Sequence, residues 1–254
     1  MRLAAIFAGL LFAAPALAAT PYEIYAAGRY DDAMKLADAN ADAPTLAIAA
    51  RAALADAQLR DKPCLDCLRR AEDFAARAIA KDPRSIDGHV YHAIAMGLEA
   101  RIAGTILSRL RNYPGRAKDD LDAALAVDPH NPSALGALGG WNVEIVRIGG
   151  AKLGEWFYGA TIEKGQAAFK ASFVADPADI TVRYQYALSF AGFDTVNYIP
   201  QIQDAFSKVI AGKADTAYER VAQTRATQLY DLMTKGDYTT FGALVWKYQG
   251  YPPK

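Results

Sequence analysis

The residues of this chain that could do chemistry fall into a few small groups, and the first is a pair of cysteines. Cys64 and Cys67 stand in Pro-Cys-Leu-Asp-Cys and are the two cysteines of the chain. That spacing can serve a disulfide, dithiol redox chemistry, zinc or haem attachment. Haem attachment needs a histidine directly after the second cysteine, and Leu68 stands there. A tetrahedral zinc site needs more ligands than two thiolates. A dithiol redox site needs a strand–helix setting that a helical neighbourhood does not offer. The expectation is a local disulfide stapling a helix–helix turn.

His89 and His92 lie at i, i+3 with Met96 and Glu99 further along, and His130 follows Pro129. Two histidines on one face need partners on a facing helix to hold a metal. None is evident, so they read as packing or surface residues, with no metal and no cofactor. Trp141, Glu144 and Arg147 lie at i, i+3, i+6 on a very apolar stretch. They are either a carboxylate–guanidinium pair under an aromatic lid lining a cavity, or an intrahelical pair beside a packed tryptophan. Trp156, Phe157, Tyr158, Tyr184, Tyr186, Phe190, Phe193 and Tyr198 form an aromatic set, which suits a ligand pocket or a core. Arg101, Arg109, Arg111 and Arg116 adjoin Asp119-Asp120 and read as a solvated, compensated face. Ser/His/Asp order, glycine-rich phosphate loops and helix-borne His-Glu pairs do not occur, so a non-catalytic protein is expected.

The elements that must position these groups announce themselves through proline. Asp-Pro occurs at 82–83, 128–129 and 176–177, so the prolines step by 46 and 48. Small residues follow ten positions later (Ala93, Gly139, Ala187) and precede by twelve (Ala71, Ala117, Gly165). Proline cannot continue a helix, so each Asp-Pro ends one, and small residues let neighbouring helices approach. Val90, Ala93, Ile94, Gly97 and Leu98 make one apolar helical face that continues through Ile102, Ile106 and Leu110. A second long helix, from Ser133 to about Gly159, is apolar nearly all round and therefore expected to be buried, with a kink at Gly149-Gly150. A fourth hairpin is expected from Thr181–Ala191 with about Ile199–Ala211, then a last helix from Thr216 to Lys235 ending at Gly236. The aromatic tail from 237 to 254 is expected to pack back on the helices, with Tyr251-Pro252-Pro253-Lys254 frayed.

At the N-terminus, Arg2, the apolar run from Leu3 and Ala16-Leu17-Ala18 follow the order of a secretory signal peptide, residues 1–18. An exported chain, most simply periplasmic, with no membrane span after cleavage is expected. It would carry 27 basic and 28 acidic residues, a balance with no electrostatic footprint for nucleic acid. The 52% hydrophobic content, much of it alanine, favours close-packed helices.

The Gly28-Arg29-Tyr30…Ala33 turn and the Ala117, Leu121, Ala124, Pro129 spacing resemble tetratricopeptide repeats, whose period is about 34 residues. Here the unit is 46–48 residues long. The excess lies between the two helices of each unit, where Ala93 to Ala117 spans 24 and Gly139 to Gly165 spans 26. From Ala134 to Met233 the chain is similar to the tetratricopeptide-like domain of eukaryotic regulators of microtubule dynamics and of periplasmic proteins associated with TRAP transporters. The carriers are Leu138-Gly139-Gly140-Trp141 with Glu144, Phe157-Tyr158-Gly159, Gln166-Ala167-Ala168-Phe169 before Asp176-Pro177, and Tyr184-x-Tyr186-Ala187. Asn142 stands where that family leads one to expect a bulkier or imidazole side chain.

The resemblance implies an all-α, tetratricopeptide-like solenoid of about four hairpins plus a C-terminal helix: a capping half-repeat over 19–44, repeats over 45–236, then the tail. It also implies binding on the face made by first helices. Trp141, Glu144, Arg147, Trp156, Tyr158, Tyr184 and Tyr186 are the candidate binding residues, and Cys64 with Cys67 the candidate disulfide. The expected function is a scaffold for a protein or peptide partner, a membrane-transporter component among the candidates. The alternative is an accessory protein holding a small ligand for a transporter.

Overall fold

A computed structural model describes residues 18–253. All of the expected signal peptide except Ala18 lies outside the described residues. Among those residues the chain is all helical, with twelve helices and no strand. They are α1 (Pro21–Ala26), α2 (Tyr30–Lys35), α3 (Ala43–Leu59), α4 (Leu65–Lys81), α5 (Ile86–Leu110) and α6 (Tyr113–Val127). Then come α7 (Pro132–Gly149), α8 (Ala151–Tyr158), α9 (Ile162–Ala175), α10 (Ile180–Ala211), α11 (Ala217–Lys235) and α12 (Tyr238–Tyr248). No helix among them is long and apolar enough to cross a membrane.

The three Asp-Pro joints are built alike. Helices α4, α6 and α9 stop one residue before Asp82, Asp128 and Asp176. Each aspartate accepts a hydrogen bond from the backbone N–H two residues on, at Arg84, His130 and Ala178 (2.9, 3.0 and 3.0 Å). That closes a polar turn in which proline's missing donor is no loss. Ser85, Asn131 and Asp179 then cap the next helices, accepting from Gly88, Ala134 and Val182. The small residues sit where helices touch: a Cβ on Gly139 would lie 2.6 Å from the Phe169 ring, and one on Gly165 only 3.2 Å from the Gly139 carbonyl.

Along the chain α3 packs on α4, α4 on α5, α5 on α6, α6 on α7 and α7 on α9, while α10 packs on both α7 and α11. One core joins α1–α5 with Ala124, Ala134 and Tyr218; a second joins residues of α7 and α9–α12. The aromatic tail packs as expected, with Phe241 and Val245 of α12 buried. It does not fray at Tyr251: that ring is buried and stacks on Trp246, whose Nε1 donates to the Pro252 carbonyl at 2.7 Å.

The longer helical segments break in three places. α5 does run on to Leu110, but it breaks at Gly104, where φ is +77° and ψ 170°. Ser108 Oγ donates to the carbonyls of Gly104 and Ala100 that the break frees. The long helix expected from Ser133 to about Gly159 does bend at Gly149-Gly150, as expected, but the bend is a full break: α7 ends at Gly149. Gly150 takes φ +79°, which a side chain would oppose, and α8 sets off separately. Its apolar residues are consequently exposed, Trp156 by 80% and Phe157 by 66%. The two helices expected in the fourth hairpin both lie within α10, separated at Asp194, where φ −158° and ψ 85° are not helical, and they fold together so that Tyr184 meets Phe206. The Asp194 carboxylate accepts from the Asn197 backbone and so caps the second half.

Candidate functional site

A cavity of about 480 Å³ lies between α3, α5, α6, α7, α8 and α10. Its walls are mainly apolar, with Leu54, Ile94, Leu98 and Ile145 among them. Gly97 faces it too, and a Cβ there would meet nothing within 4 Å. The lining residues that are exposed to solvent are Gly97, Gly104, Thr105, Arg109, Ile148, Leu153 and Phe157, all on α5, α7 or α8. The cavity therefore opens between the α5 tip and the α7–α8 corner. Ile106, Leu110 and Trp156 add exposed apolar surface on the same segments.

A charged cluster forms one part of the wall. Arg147 Nε donates to Glu144 Oε2 at 3.0 Å, and its Nη2 to Oε1 at 3.1 Å. Arg101, from α5, donates Nε to Glu144 Oε1 at 3.1 Å and Nη1 to the Gln249 carbonyl at 2.6 Å. The three side chains are only 16–17% exposed. The Tyr251 hydroxyl donates to Glu144 and accepts from Arg147. Its ring lies 4.8 Å from the Arg147 guanidinium carbon and 5.5 Å from that of Arg101. Burial pushes the Glu144 carboxyl up, but the two guanidiniums outweigh it and hold the group below the usual carboxylate range.

The cavity brings together four of the seven candidate binding residues. Trp141, Glu144, Arg147 and Tyr158 line it. The aromatic lid over the ion pair is Tyr251, not Trp141. Trp141 donates Nε1 to the Pro114 carbonyl at 3.0 Å and meets Tyr158 edge to face. Trp156 does not line the cavity; it stacks on Phe157 at the exposed corner. Tyr184 and Tyr186 do not line it either. α10 turns Gln185 and Ser189 to the cavity, while Tyr184 packs against Phe206, and Tyr186 against Phe169 and Phe190. Asn142 is buried, with Nδ2 donating to the Leu138 carbonyl and Oδ1 accepting from Thr161 N.

The basic run is not one solvated face. Arg101 belongs to the cavity wall, Arg111 donates to the Tyr113 hydroxyl, and Arg116 pairs with Glu72 at 3.0 Å. Asp120 serves the histidines: His89 Nδ1 lies 2.8 Å from one of its oxygens and His92 Nδ1 2.6 Å from the other. Burial pushes the Asp120 carboxyl up, the two histidine hydrogen bonds pull it down further, and it ends below the usual range. Among the described residues no group of three or more His, Cys, Asp and Glu is placed to hold a metal ion. Cys64 and Cys67 are bonded to each other at the start of α4, with Cys64 as its N-cap.

The pattern missed Arg51, Arg101 and Tyr251. Arg51 lines the cavity with its guanidinium 4.6 Å above the Tyr25 ring. Tyr251 carries no local signal, because its partners lie 104 and 107 positions away. Arg101 did carry one: it continues the face of Val90, Ile94 and Leu98, where a charge needs a partner. No family model matches the chain, and no curated protein matches it.

Proposed function

We propose that the protein is an exported, non-catalytic helical scaffold that holds a small, largely apolar ligand in the cavity, as an accessory to a membrane transporter. The observation that carries this reading is the cavity itself. It has ligand-sized volume, mainly apolar walls and a charged cluster on one part of them, and it opens between the two segments that make the repeat longer than usual. The fold reading that goes with it is a lengthened tetratricopeptide-like solenoid, supported by the identical Asp-Pro joints and by the packing of successive helices. A scaffold rather than a catalyst is favoured because Glu144, the carboxylate on the wall, is held ionised by two guanidiniums and is a weak proton acceptor. The test is native mass spectrometry of protein purified without detergent from its secreting cells. A one-to-one adduct released on unfolding is expected. Bare protein, together with no melting shift across a panel of small amphiphiles, would defeat the reading.

One observation favours a second reading, docking of a protein partner. Trp156, Phe157, Ile106 and Leu110 are exposed at the cavity mouth, a setting typical of contact surfaces. The readings are compatible if the partner receives the ligand. Recovery of a near-stoichiometric envelope protein by wild type, lost in Trp156→Ala with Phe157→Ser, supports docking. Equal recovery by the variant removes the mouth from the interface.

A further inference from the structure

We infer that the ligand is an amphiphile with a single carboxylate head, and that the head seats on Arg101 and Arg147 where the Tyr251 phenol now lies. This inference rests on the ligand-holding reading above.

The wall is unequal in charge. Glu144 uses both oxygens on Arg101 and Arg147, so one carboxylate faces two guanidiniums and one positive charge is left over. Arginine does not shed its proton to escape burial. The remaining charged lining does not redress the balance: Arg51 and Arg109 stand against Asp179, and Arg109 is out at the mouth. What covers the surplus charge is neutral. It is the face of the Tyr251 ring, the Tyr251 hydroxyl and the Gln249 carbonyl. Such groups attract a cation without neutralising it. A carboxylate would neutralise it, and its two oxygens match the fork of a guanidinium. A dianionic head would overshoot the one surplus charge.

The cover is one buried side chain, which the head must displace to reach the guanidiniums. Tyr251 follows Gly250, whose φ of +83° turns the chain after α12, and it is kept in place chiefly by Trp246 and by the cluster itself. Moving it aside opens the guanidiniums to the same cavity whose walls at Ile94, Leu98 and Ile145 suit an apolar chain. Head chemistry and body chemistry are thus adjacent in one space that opens to solvent.

The experiment is calorimetric titration of the full mature chain with dodecanoate, dodecan-1-ol and dodecyltrimethylammonium, the ionic amphiphiles below their micellar concentrations and the alcohol below its solubility limit. Dodecanoate is expected to bind one to one and about tenfold or more tighter than the alcohol, the return on one charge-assisted contact of about 1.4 kcal/mol. The cationic amphiphile is expected not to bind. Arg101→Gln and Arg147→Gln should each bring dodecanoate to the level of the alcohol while leaving the alcohol unchanged. Tyr251→Phe, which keeps the ring and removes the competing hydroxyl, should strengthen dodecanoate alone. A melting curve accompanies each variant, and if Arg147→Gln fails to fold, Arg101→Gln decides. Equal binding of carboxylate and alcohol would overturn the charge inference while leaving a ligand-holding cavity. Preference for carboxylate that survives Arg101→Gln would overturn the seat. Absence of binding by all three would overturn the ligand-holding reading as well.

Discussion

Two buried networks join α5 to its neighbours, and they are built on opposite principles. On the side away from the cavity, Asp120 lies between His89 and His92, and Glu72 pairs with Arg116. On the cavity side, Glu144 lies between Arg101 and Arg147 under Tyr251. In each a carboxylate, Asp120 or Glu144, sits between two nitrogen bases and is held below its usual range, and in the first Glu72 adds a second carboxylate against His92 and Arg116. The difference is in the bases. Histidine is a base that can give up its charge. Arginine cannot, so the Glu144 network keeps a surplus charge, and it alone of the two faces a cavity. A network closed within the fold serves packing; one left open in charge and facing a void serves a ligand.

The comparison breaks most visibly by removing the two carboxylates. Glu144→Ala leaves two guanidiniums half-buried without a counter-charge and should cost about 3–5 kcal/mol in urea unfolding. Asp120→Ala removes one hydrogen-bond partner from each of His89 and His92 and should cost less, about 1–3 kcal/mol. If the Asp120 variant proves the weaker protein, the contrast drawn between the bases is wrong.

Acid sharpens the same contrast. Because each carboxyl is depressed in the fold, its contribution is complete above its ordinary value of 4.5 for Glu144 or 3.8 for Asp120. It is lost as pH falls through the folded value. Melting temperature should therefore decline on acidification below those values. Glu144→Gln should show a shallower decline, and an unaltered slope would count against the ion pair.

Glu99 behaves in the opposite sense. Burial raises its carboxyl, with Glu72 adding repulsion, while Oε2 accepts from the Tyr113 hydroxyl. Its cost is present above the ordinary 4.5 and absent below it. Glu99→Gln should consequently raise stability at neutral pH by about 1 kcal/mol and have no effect in acid. The smallest effect belongs to the rim: Trp156→Ala removes a side chain exposed by 80% and should change stability by less than about 0.5 kcal/mol.

Sequence pattern read the local grammar well and the long-range contacts poorly, for physical reasons. Each Asp-Pro joint is legible because proline ends a helix whatever surrounds it. Thr216, Glu219 and Gly236 bound α11 through a capping box and a left-handed C-terminus, both encoded within a few residues. The Glu144–Arg147 pair was legible because it lies within one helical turn. Which face of a first helix meets the cavity was not. Tyr184 and Tyr186 share an apolar helix with Gln185 and Ser189, and only the placement of α7 and α9 decides that the aromatics turn inward. The break at Gly150 was legible from the Gly149-Gly150 pair, but Gly104 stands alone, and a single glycine permits a break without requiring one. Tyr251 had to be brought from the far end of the chain by the packing of α12.

The central claim, that the cavity between the lengthened segments is a ligand site, is tested most directly by filling it. Gly97 faces the cavity, and a side chain there meets open space. Gly97→Phe should leave the fold intact or stabilise it by about 0.5–1 kcal/mol through helix propensity, while abolishing dodecanoate binding in the calorimeter. Undiminished binding by a folded Gly97→Phe protein would contradict the claim and place the ligand elsewhere.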